Sequence, residues 1–328
     1  MSKLVTIYGG SGFVGRYVAQ AMAHEGWRVR VAVRRPNEAL FTRVYGAPGQ
    51  VEPILCNIRD AASVRAAMEG ADAVVNCVGI LVPEGRNRFR EVQAEGAATI
   101  ARLAAELGVA QLVHLSSIGS VEGAPSEYSR TKARGEAAVL EHFPSAAILR
   151  PSVIFGPEDQ FFNRFAAMAR LMPVIPLVGG GTRFQPVYVG DVAAAAKACL
   201  LHGHSGVHEL GGPEVETFAR LIERMLRIIK RDRLVLSIPA PLGWPMAATL
   251  DILSGLTGGF VVNRILTLDQ LSNLGRDNIV AADARGLGDL GVEPTPMDAI
   301  LPEYLWRFRP DGQYEEIKAS AKLMREKH

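Results

Sequence analysis

Tyr128 and Lys132 are two residues whose types and spacing permit proton transfer. They lie four positions apart on a predicted helix and therefore share one of its faces. A lysine ammonium beside a phenol favours the phenolate and lowers the tyrosine pKa, so that Tyr128 can exchange a proton with a hydroxyl or carbonyl group. The same spacing also occurs on ordinary exposed helix faces, so the pair alone leaves both interpretations open.

Ser116 and Ser117 end the strand that precedes this helix. A hydroxyl at the carboxyl end of a parallel strand points into the ligand crevice, where it can orient a carbonyl oxygen. Serine pairs also commonly begin turns, which is the alternative for this pair.

A glycine-rich turn joins the first predicted strand to the first predicted helix, with the sequence Gly9-Gly10-Ser11-Gly12-Phe13-Val14-Gly15. Gly9 permits a tight turn, Gly12 lets phosphate oxygens approach the backbone, and Gly15 lets the helix pack close to the strand. A purely structural turn is the alternative, but the strand-turn-helix context favours a dinucleotide site. We therefore expect cofactor contacts from Gly9, Ser11, Gly12, Phe13, Val14 and Gly15.

The second predicted strand ends in Ala32-Val33-Arg34-Arg35, without the acidic residue that binds the ribose 2′-hydroxyl in NAD-preferring sites. Arginine binds phosphate through planar, charge-assisted contacts, so Arg34 and Arg35 suit a 2′-phosphate. The sequence therefore predicts NADPH as the cofactor. Two solvated surface arginines are the alternative.

Strands alternate with helices through the first 150 residues, which predicts an α/β fold built on a Rossmann-type, doubly wound parallel sheet. After Pro151 the pattern is less regular. We expect residues 1–150 to form the nucleotide-binding domain, to which a strand and helix from about 184–212 return. Residues 151–328 are expected to form a smaller C-terminal α/β lobe for a substrate or a partner.

The 328 residues carry a net charge of +2, which is too small to attract nucleic acid by charge alone. Cys56, Cys77 and Cys199 are far apart, so neither a disulfide framework nor a metal site is expected. The first predicted strand begins almost at Met1, which leaves no room for a targeting peptide, so we expect a chain that is cytoplasmic or already processed.

Residues 234–263 contain Asp251 as their one charged residue, but prolines and glycines break the stretch into pieces too short to span a bilayer. We expect a docking surface for a membrane-embedded or membrane-adjacent partner there, carrying Trp244 and Phe260. One buried helix over residues 246–253 is the alternative.

Taken together, these motifs resemble the extended or atypical short-chain dehydrogenase/reductases. Residues 57–60 resemble the adenine-contacting segment of that family, residues 76–79 its fourth-strand cofactor segment, and residues 150–157 the segment that covers nicotinamide. Ser117, Tyr128 and Lys132 match its catalytic residues, with Ser116 as the alternative serine. The resemblance implies further cofactor contacts from Asn57, Ile58, Cys77, Val78, Gly79, Ser116, Pro151 and Val153.

Residues 266–271, 276–278, 289–292 and 300–305 resemble the nucleotide-binding accessory subunits of respiratory complex I and their bacterial relatives. That resemblance implies a tightly held NADPH, no established turnover, and a structural or regulatory place beside other complex I subunits near the membrane. The location implied is peripheral, on the cytoplasmic face of the inner membrane or on the matrix side in mitochondria. A free NADP-dependent reductase, dehydratase or epimerase is the alternative, and a nucleotide-binding fold that serves only as an interaction module is a third possibility.

Overall fold

The computed structural model describes residues 2–238, 268–310 and 312. The strands are β1 (Leu4–Tyr8), β2 (Arg28–Val33), β3 (Val51–Leu55), β4 (Ala73–Asn76), β5 (Gln111–Leu115), β6 (Ala147–Pro151), β7 (Ile154–Phe155), β8 (Val174–Val178), β9 (Arg183–Phe184), β10 (Val187–Tyr188), β11 (Gly206–Leu210), β12 (Glu216–Thr217) and β13 (Leu234–Ile238).

The α-helices are α1 (Phe13–His24), α2 (Ala61–Met68), α3 (Gly96–Glu106), α4 (Glu127–His142), α5 (Phe162–Leu171), α6 (Val189–His202), α7 (Phe218–Ile228), α8 (Leu268–Asn273) and α9 (Met297–Leu305). Shorter 3₁₀ helices lie at Pro36–Tyr45, Gly288–Leu290 and Trp306–Phe308, and a π-helix lies at Arg90–Glu95.

Seven of these strands form one parallel sheet, in the order β11-β6-β5-β4-β1-β2-β3. The chain winds outward from β1 in one direction through β2 and β3, and in the other through β4, β5 and β6. The order reverses between β1 and β4, where a doubly wound sheet opens a crevice at the carboxyl ends of its strands. The predicted Rossmann-type fold is confirmed.

Both faces of this sheet are covered, because alternate residues of each inner strand enter two separate hydrophobic clusters. Ile7 and Val31 pack on the face that α1 and α6 cover. Tyr8 and Val74 pack on the opposite face, against α2, α3 and α4. Burial on both faces explains why these strands are nearly continuous apolar runs in the sequence.

Two helix starts have unusual surroundings. Val189 begins α6 directly after the two-residue strand β10. The π-helix at Arg90–Glu95 leads directly into α3, and the backbone of α4 approaches it so closely that a Cβ at Gly135 would clash with the Gln93 carbonyl oxygen.

The C-terminal lobe is named here for the elements that surround the third hydrophobic cluster, chiefly α5, α7 and α9 with β8. Asp159, which is buried, joins two of these helices. Its carboxylate accepts a hydrogen bond of 2.5 Å from the Tyr304 hydroxyl on α9 and one of 3.0 Å from the Asn163 amide on α5. Within residues 2–238 and 268–310, no helix has the length and apolar character needed to cross a bilayer.

Glu136 on α4 and Arg150 on β6 form an ion pair between the sheet and the helix that carries the candidate site. Arg150 Nη2 lies 2.5 Å from Glu136 Oε2, and the Glu136 side chain is only 5% exposed. The free-energy cost of desolvating that carboxylate is offset by the bidentate hydrogen bonds from Arg150.

Arg150→Met is therefore expected to lower the free energy of unfolding by about 3 kcal/mol, because it leaves the Glu136 carboxylate buried without its partner. The matched control is Arg43→Met, which breaks a half-exposed pair with Glu52 and is expected to cost less than about 1 kcal/mol. Urea denaturation of the two variants measures both values. Equal losses of unfolding free energy in the two variants would show that the buried pair stabilises the fold no more than the exposed pair does.

Candidate functional site

The glycine-rich turn brings the first helix against the first strand. Gly9 has a φ of +74°, in the left-handed region that glycine adopts without strain. A Cβ at Gly15 would lie 2.3 Å from the Gly9 carbonyl oxygen and 2.8 Å from Gly10 Cα, so only glycine fits at this position. The turn therefore has the close helix-to-strand packing that the sequence predicts.

The amino terminus of α1 is suited to an anion. Gly12 is exposed and precedes the first residue of α1. No side chain caps the start of this helix, and the first turn of the helix contains no acidic residue. Unpaired amide groups at such a helix end attract phosphate, helped by the helix dipole. Ser11 and Phe13 are half-buried beside Gly12, and Val14 packs into the core. These features fit the pyrophosphate of a dinucleotide.

The loop after β4 lines the other side of the crevice. The Cys77 amide donates a 2.9 Å hydrogen bond to the Tyr8 carbonyl. A Cβ at Gly9 would lie 3.2 Å from Val78 Cγ2. Gly79 is exposed, and an added Cβ there would lie 3.4 Å from Lys132 Nζ. Burial raises the pKa of the Cys77 thiol to about 12, so this thiol is neutral and unreactive at physiological pH.

Two buried polar residues, Asn76 and His114, hold this loop, and of the two the sequence interpretation included only Asn76, within residues 76–79. Asn76 Oδ1 accepts a 3.1 Å hydrogen bond from the Val78 amide, and Asn76 Nδ2 lies 3.0 Å from His114 Nδ1. Burial lowers the pKa of His114 to about 3, so the ring is neutral. A polar residue inside an otherwise apolar strand is the sequence signal that marks both positions.

The two arginines after β2 differ in their surroundings. Arg35 donates a 3.1 Å hydrogen bond to Glu38, in a pair whose side chains are 76% and 69% exposed. Arg34 is exposed and makes no ion pair or side-chain hydrogen bond with the described part of the chain. Arg34 is thus the guanidinium that is available to a ligand without breaking another contact.

Arg16 is a third arginine at the turn, and the sequence interpretation missed it. Its guanidinium donates to the carbonyls of Ser11 and Gly12, at 3.1 and 3.3 Å, and lies 4.9 Å from the centre of the Phe41 ring. It also pairs with Glu158 at 3.2 Å. Arg16 therefore ties the turn to the 3₁₀ helix Pro36–Tyr45 and to the loop after β7. The position of Arg16 directly after Gly15 is the sequence feature that could have identified it.

The remaining predicted contacts lie at the carboxyl ends of β3 and β6. Asn57 Oδ1 accepts a 3.2 Å hydrogen bond from the Arg59 amide, and Ile58 packs against the cluster that includes α3. Pro151 ends β6, and Val153 packs on the third hydrophobic cluster. All four residues therefore lie on the edge of the sheet where the crevice opens.

The Lys132 amine lies beneath the carboxyl edge of the sheet. The side chain is buried, and Nζ donates a 2.9 Å hydrogen bond to the Leu115 carbonyl at the end of β5. Burial lowers the pKa of Lys132 to about 8, although the nearby Glu136 carboxylate opposes the shift. The amine therefore stays mostly charged at neutral pH. Burial of this charge costs free energy unless an anion lies nearby.

Tyr128 forms a hydrogen bond with Ser117, and its ring packs edge-on against Phe89 at 5.9 Å between centres. Ser117 is thus the serine beside the tyrosine. Both serines also contact Ser120, since the hydroxyls of Ser117 and of the buried Ser116 lie 3.1 and 3.2 Å from the Ser120 hydroxyl. The expectation that the tyrosine pKa is lowered is wrong for this structure. Burial raises the pKa of Tyr128, the Asp269 carboxylate adds to the rise, and the Ser117 contact opposes it.

Asp269 on α8 reaches the helix that carries this tyrosine. Its carboxylate accepts hydrogen bonds from the amides of Glu127, at 2.5 Å, and Tyr128, at 3.3 Å. Ser129 Oγ donates at 3.1 Å to Asn273 Oδ1, also on α8. The C-terminal lobe therefore caps the amino terminus of α4. Nothing in the sequence around Asp269 distinguishes it from a solvated carboxylate.

Gly15→Ala is expected to weaken dinucleotide binding at least about tenfold, because the added methyl forces α1 away from the Gly9 carbonyl and displaces the amides that meet the pyrophosphate. Gly123→Ala is the matched control, since no atom lies within 4 Å of a Cβ at that position. Calorimetric titration with NADPH compares the two variants. Unchanged affinity in Gly15→Ala would contradict the assignment of the turn.

Residues 5–211 match the model of the NAD dependent epimerase/dehydratase family. Among solved structures, UDP-glucose 4-epimerase from Thermus thermophilus, in complex with NAD, superposes with a TM-score of 0.68 at 18% identity, covering 94% of this chain and 99% of the epimerase. At that identity the likeness shows the fold alone.

Two curated relatives extend the match beyond the family model. NADH dehydrogenase (ubiquinone) 1 alpha subcomplex subunit 9 from Arabidopsis thaliana mitochondria is 33% identical over 324 residues, which is 94% of this chain and 79% of the subunit. Ceramide reductase of Caulobacter vibrioides is 28% identical over 256 residues, which is 77% of this chain and 79% of the reductase. The plant protein confirms the resemblance to complex I accessory subunits. Because the family model covers more than half of the sequence and contains the nucleotide crevice, this chain belongs to the NAD dependent epimerase/dehydratase family of extended short-chain dehydrogenase/reductases.

Proposed function

We propose that this chain is an NADPH-binding accessory subunit of NADH:ubiquinone oxidoreductase, in which the nucleotide has a structural or regulatory role and is not turned over. The observation that carries the proposal is the 33% identity to the plant subunit over 94% of this chain. The similarity includes the C-terminal part of the chain, beyond the residues 5–211 that match the family model.

The adenine half of NADPH is assigned to the first three strands of the sheet. The amides at the start of α1 bind the pyrophosphate, with Gly9, Gly12 and Gly15 leaving the room that it needs. Ser11, Phe13 and Val14 complete the turn around it, and Asn57 and Ile58 border the adenine at the end of β3.

The preference for the 2′-phosphate rests on charge at the end of β2. An acid at this position would repel the phosphate, and here Arg34 is exposed with no contact to neutralise it among the described residues. Arg35 shares its charge with Glu38 and contributes less. Arg34 is therefore the main 2′-phosphate ligand and Arg35 a secondary one.

The nicotinamide half is assigned to Ser117, Tyr128 and Lys132, with Ser116 behind them. Lys132 provides a buried ammonium, and Tyr128 a phenol, for the hydroxyls of the nicotinamide ribose. Residues 77–79 line one side of the ring, and Pro151 and Val153 line the other. NADPH, when bound, supplies a hydride. The raised pKa of Tyr128 makes it a weak acid, which suits a hydrogen-bonding role better than proton transfer at neutral pH.

The purified chain is expected to retain NADPH in preference to NADH. Replacing Arg34 and Arg35 with Glu should weaken NADPH binding at least about tenfold, because two cations become anions beside the 2′-phosphate. The affinity for NADH should change much less. Arg220→Glu, at an exposed position on α7, is the control for a general charge effect. Extraction and mass identification of the bound nucleotide, with titration of both cofactors, tests this. Retention of mainly NADH would overturn the cofactor assignment.

The partners proposed are other complex I subunits near the membrane. The chain would be held there peripherally, on the cytoplasmic face of a bacterial inner membrane or the matrix side of a mitochondrial one. The docking surface that we expect over residues 234–263 continues past residue 238 into residues outside the described part of the chain. Its predicted Trp244 and Phe260 contacts therefore remain a proposal.

A second candidate is a free NADP-dependent reductase, dehydratase or epimerase. The similarity to ceramide reductase favours it, as does the contact between Ser117 and Tyr128. In that reaction Tyr128 would donate the proton, Lys132 would hold the ribose and assist it, and Ser117 would orient the substrate oxygen. The match to the reductase covers less of the chain and is weaker, which places this candidate second.

Two variants separate the candidates. For a subunit, Tyr128→Phe should leave comigration with membrane NADH dehydrogenase activity on a native gel, and ubiquinone reduction, nearly intact. Gly12→Asp, which sets a charge against the pyrophosphate, should remove the nucleotide and reduce assembly. For the enzyme, the chain should run as a free pool, and Tyr128→Phe should abolish an NADP-dependent conversion of a carbonyl substrate. That second result would displace the subunit proposal.

A further inference from the structure

We propose that Glu158 is a positioning residue that controls how fast the nucleotide exchanges, because it fastens the loop of residues 156–159 to the start of α1. Its contact with Arg16 and Tyr17 is named here the Glu158 clamp. The inference rests on the proposed nucleotide site. It adds to that site a determinant of exchange rate that lies outside the assigned cofactor contacts.

The Glu158 clamp uses both oxygens of one carboxylate. Arg16 Nη1 lies 3.2 Å from Glu158 Oε1, and the Tyr17 hydroxyl donates a 2.9 Å hydrogen bond to Glu158 Oε2. Burial and the Glu158 contact raise the pKa of Tyr17, so its hydroxyl keeps its proton and remains a donor at physiological pH. Tyr17 and Glu158 are 141 positions apart, so the clamp joins two distant segments of the chain.

Arg16 connects the Glu158 carboxylate to the glycine-rich turn. Its guanidinium donates to the carbonyls of Ser11 and Gly12 and lies against the Phe41 ring. The side chains of Arg16 and Glu158 are 26% and 39% exposed, so the ion pair is partly shielded from water and salt. Glu158 therefore holds in place the arginine that braces the turn assigned to the pyrophosphate.

The loop that carries Glu158 is anchored in the C-terminal lobe. The Pro157 carbonyl accepts hydrogen bonds of 3.1 Å from Asn163 on α5 and 3.3 Å from Arg307 beyond α9. Asp159, the next residue after Glu158, is the buried carboxylate that joins α5 to α9. The clamp is therefore a contact between the glycine-rich turn and a braced part of the lobe.

The clamp also joins the two walls of the crevice. A Cβ at Gly156 would lie 2.7 Å from Val189 Cγ1 and 3.5 Å from the Phe13 ring, so the backbone of the loop lies directly on the starts of α6 and α1. Pro151 and Val153, which are assigned to the nicotinamide ring, come shortly before this loop in the chain. The wall proposed for the nicotinamide is thus fastened to the wall proposed for the pyrophosphate.

A dinucleotide that touches both walls enters and leaves when they separate. Every group in the Glu158 clamp belongs to the protein, so the clamp stabilises the closed crevice equally with and without nucleotide. A contact of this kind slows entry and release by the same factor and leaves the affinity nearly unchanged. This signature differs from that of a residue that shapes the binding site, whose loss weakens affinity, mainly through faster release.

The test is stopped-flow fluorescence of NADPH with the purified full chain. Release is followed after mixing the loaded chain with excess NADP⁺, and entry after mixing the nucleotide-depleted chain with NADPH. Glu158→Ala should accelerate both rates about tenfold, because it removes a partly shielded ion pair and a hydrogen bond. Tyr17→Phe should accelerate both about threefold and add nothing in the Glu158→Ala background, where its acceptor is already gone.

Glu52→Ala is the matched control, since it breaks a pair with Arg43 in which the Glu52 side chain is 49% exposed. Both of its rates should equal those of wild type. The same measurements with NADH should show the same acceleration for Glu158→Ala, because the clamp does not involve the 2′-phosphate. Tyr17→Phe, which removes a single hydroxyl, decides the test alone if Glu158→Ala misfolds.

Unchanged rates in both clamp variants would overturn the inference, as would faster release with unchanged entry or an acceleration confined to NADPH. In those three cases wild type still binds the nucleotide, and the proposed function stands. Wild type that binds neither NADPH nor NADH would remove the proposed nucleotide site and the clamp together.

Discussion

The candidate site depends on one close approach, that of the α1 backbone at Gly15 to the carbonyl of Gly9. Because no side chain separates them, the start of α1 lies at the carboxyl edge of β1, an inner strand of the sheet. The reversal of strand order beside β1 opens the crevice at the same place. The anion site proposed at the helix end and the open crevice for a long ligand would therefore have a single structural origin.

Burial of charge is the second constraint, and it links protonation to ligand binding. Lys132 is held under the crevice edge with a pKa of about 8, so its charge is tolerated only marginally. In the proposed binding mode, ribose hydroxyls that accept hydrogen bonds from the ammonium would favour its charged form and raise that pKa. By linkage, nucleotide affinity would be greatest while the lysine is protonated and would decline as pH rises through about 8. The nucleotide would thus offset part of the cost of burying this charge.

The sequence predicts the features that depend on local backbone geometry. The glycine turn, the alternation of strands with helices and the absence of an acid after β2 follow from residue types at fixed spacing. Contacts between distant segments were not accessible in this way. The Asp269 contacts join residues about 140 positions apart, and the raised pKa of Tyr128 depends on burial that only the packed structure defines. The π-helix at Arg90–Glu95 likewise has no local sequence signal.

The serine, tyrosine and lysine of the family are all present, yet their presence does not establish turnover. A proton donor works best when its pKa lies near the working pH, and here both burial and the Asp269 carboxylate move the Tyr128 pKa upward. The same carboxylate fastens α8 to the amides at the start of α4, so the C-terminal lobe is tied to the helix of the nicotinamide end. The nucleotide contacts proposed for α4 and the placement of α8 would therefore be mechanically connected. In the proposed subunit, such a connection would let a bound nicotinamide nucleotide stabilise the surface that the chain presents to its neighbours.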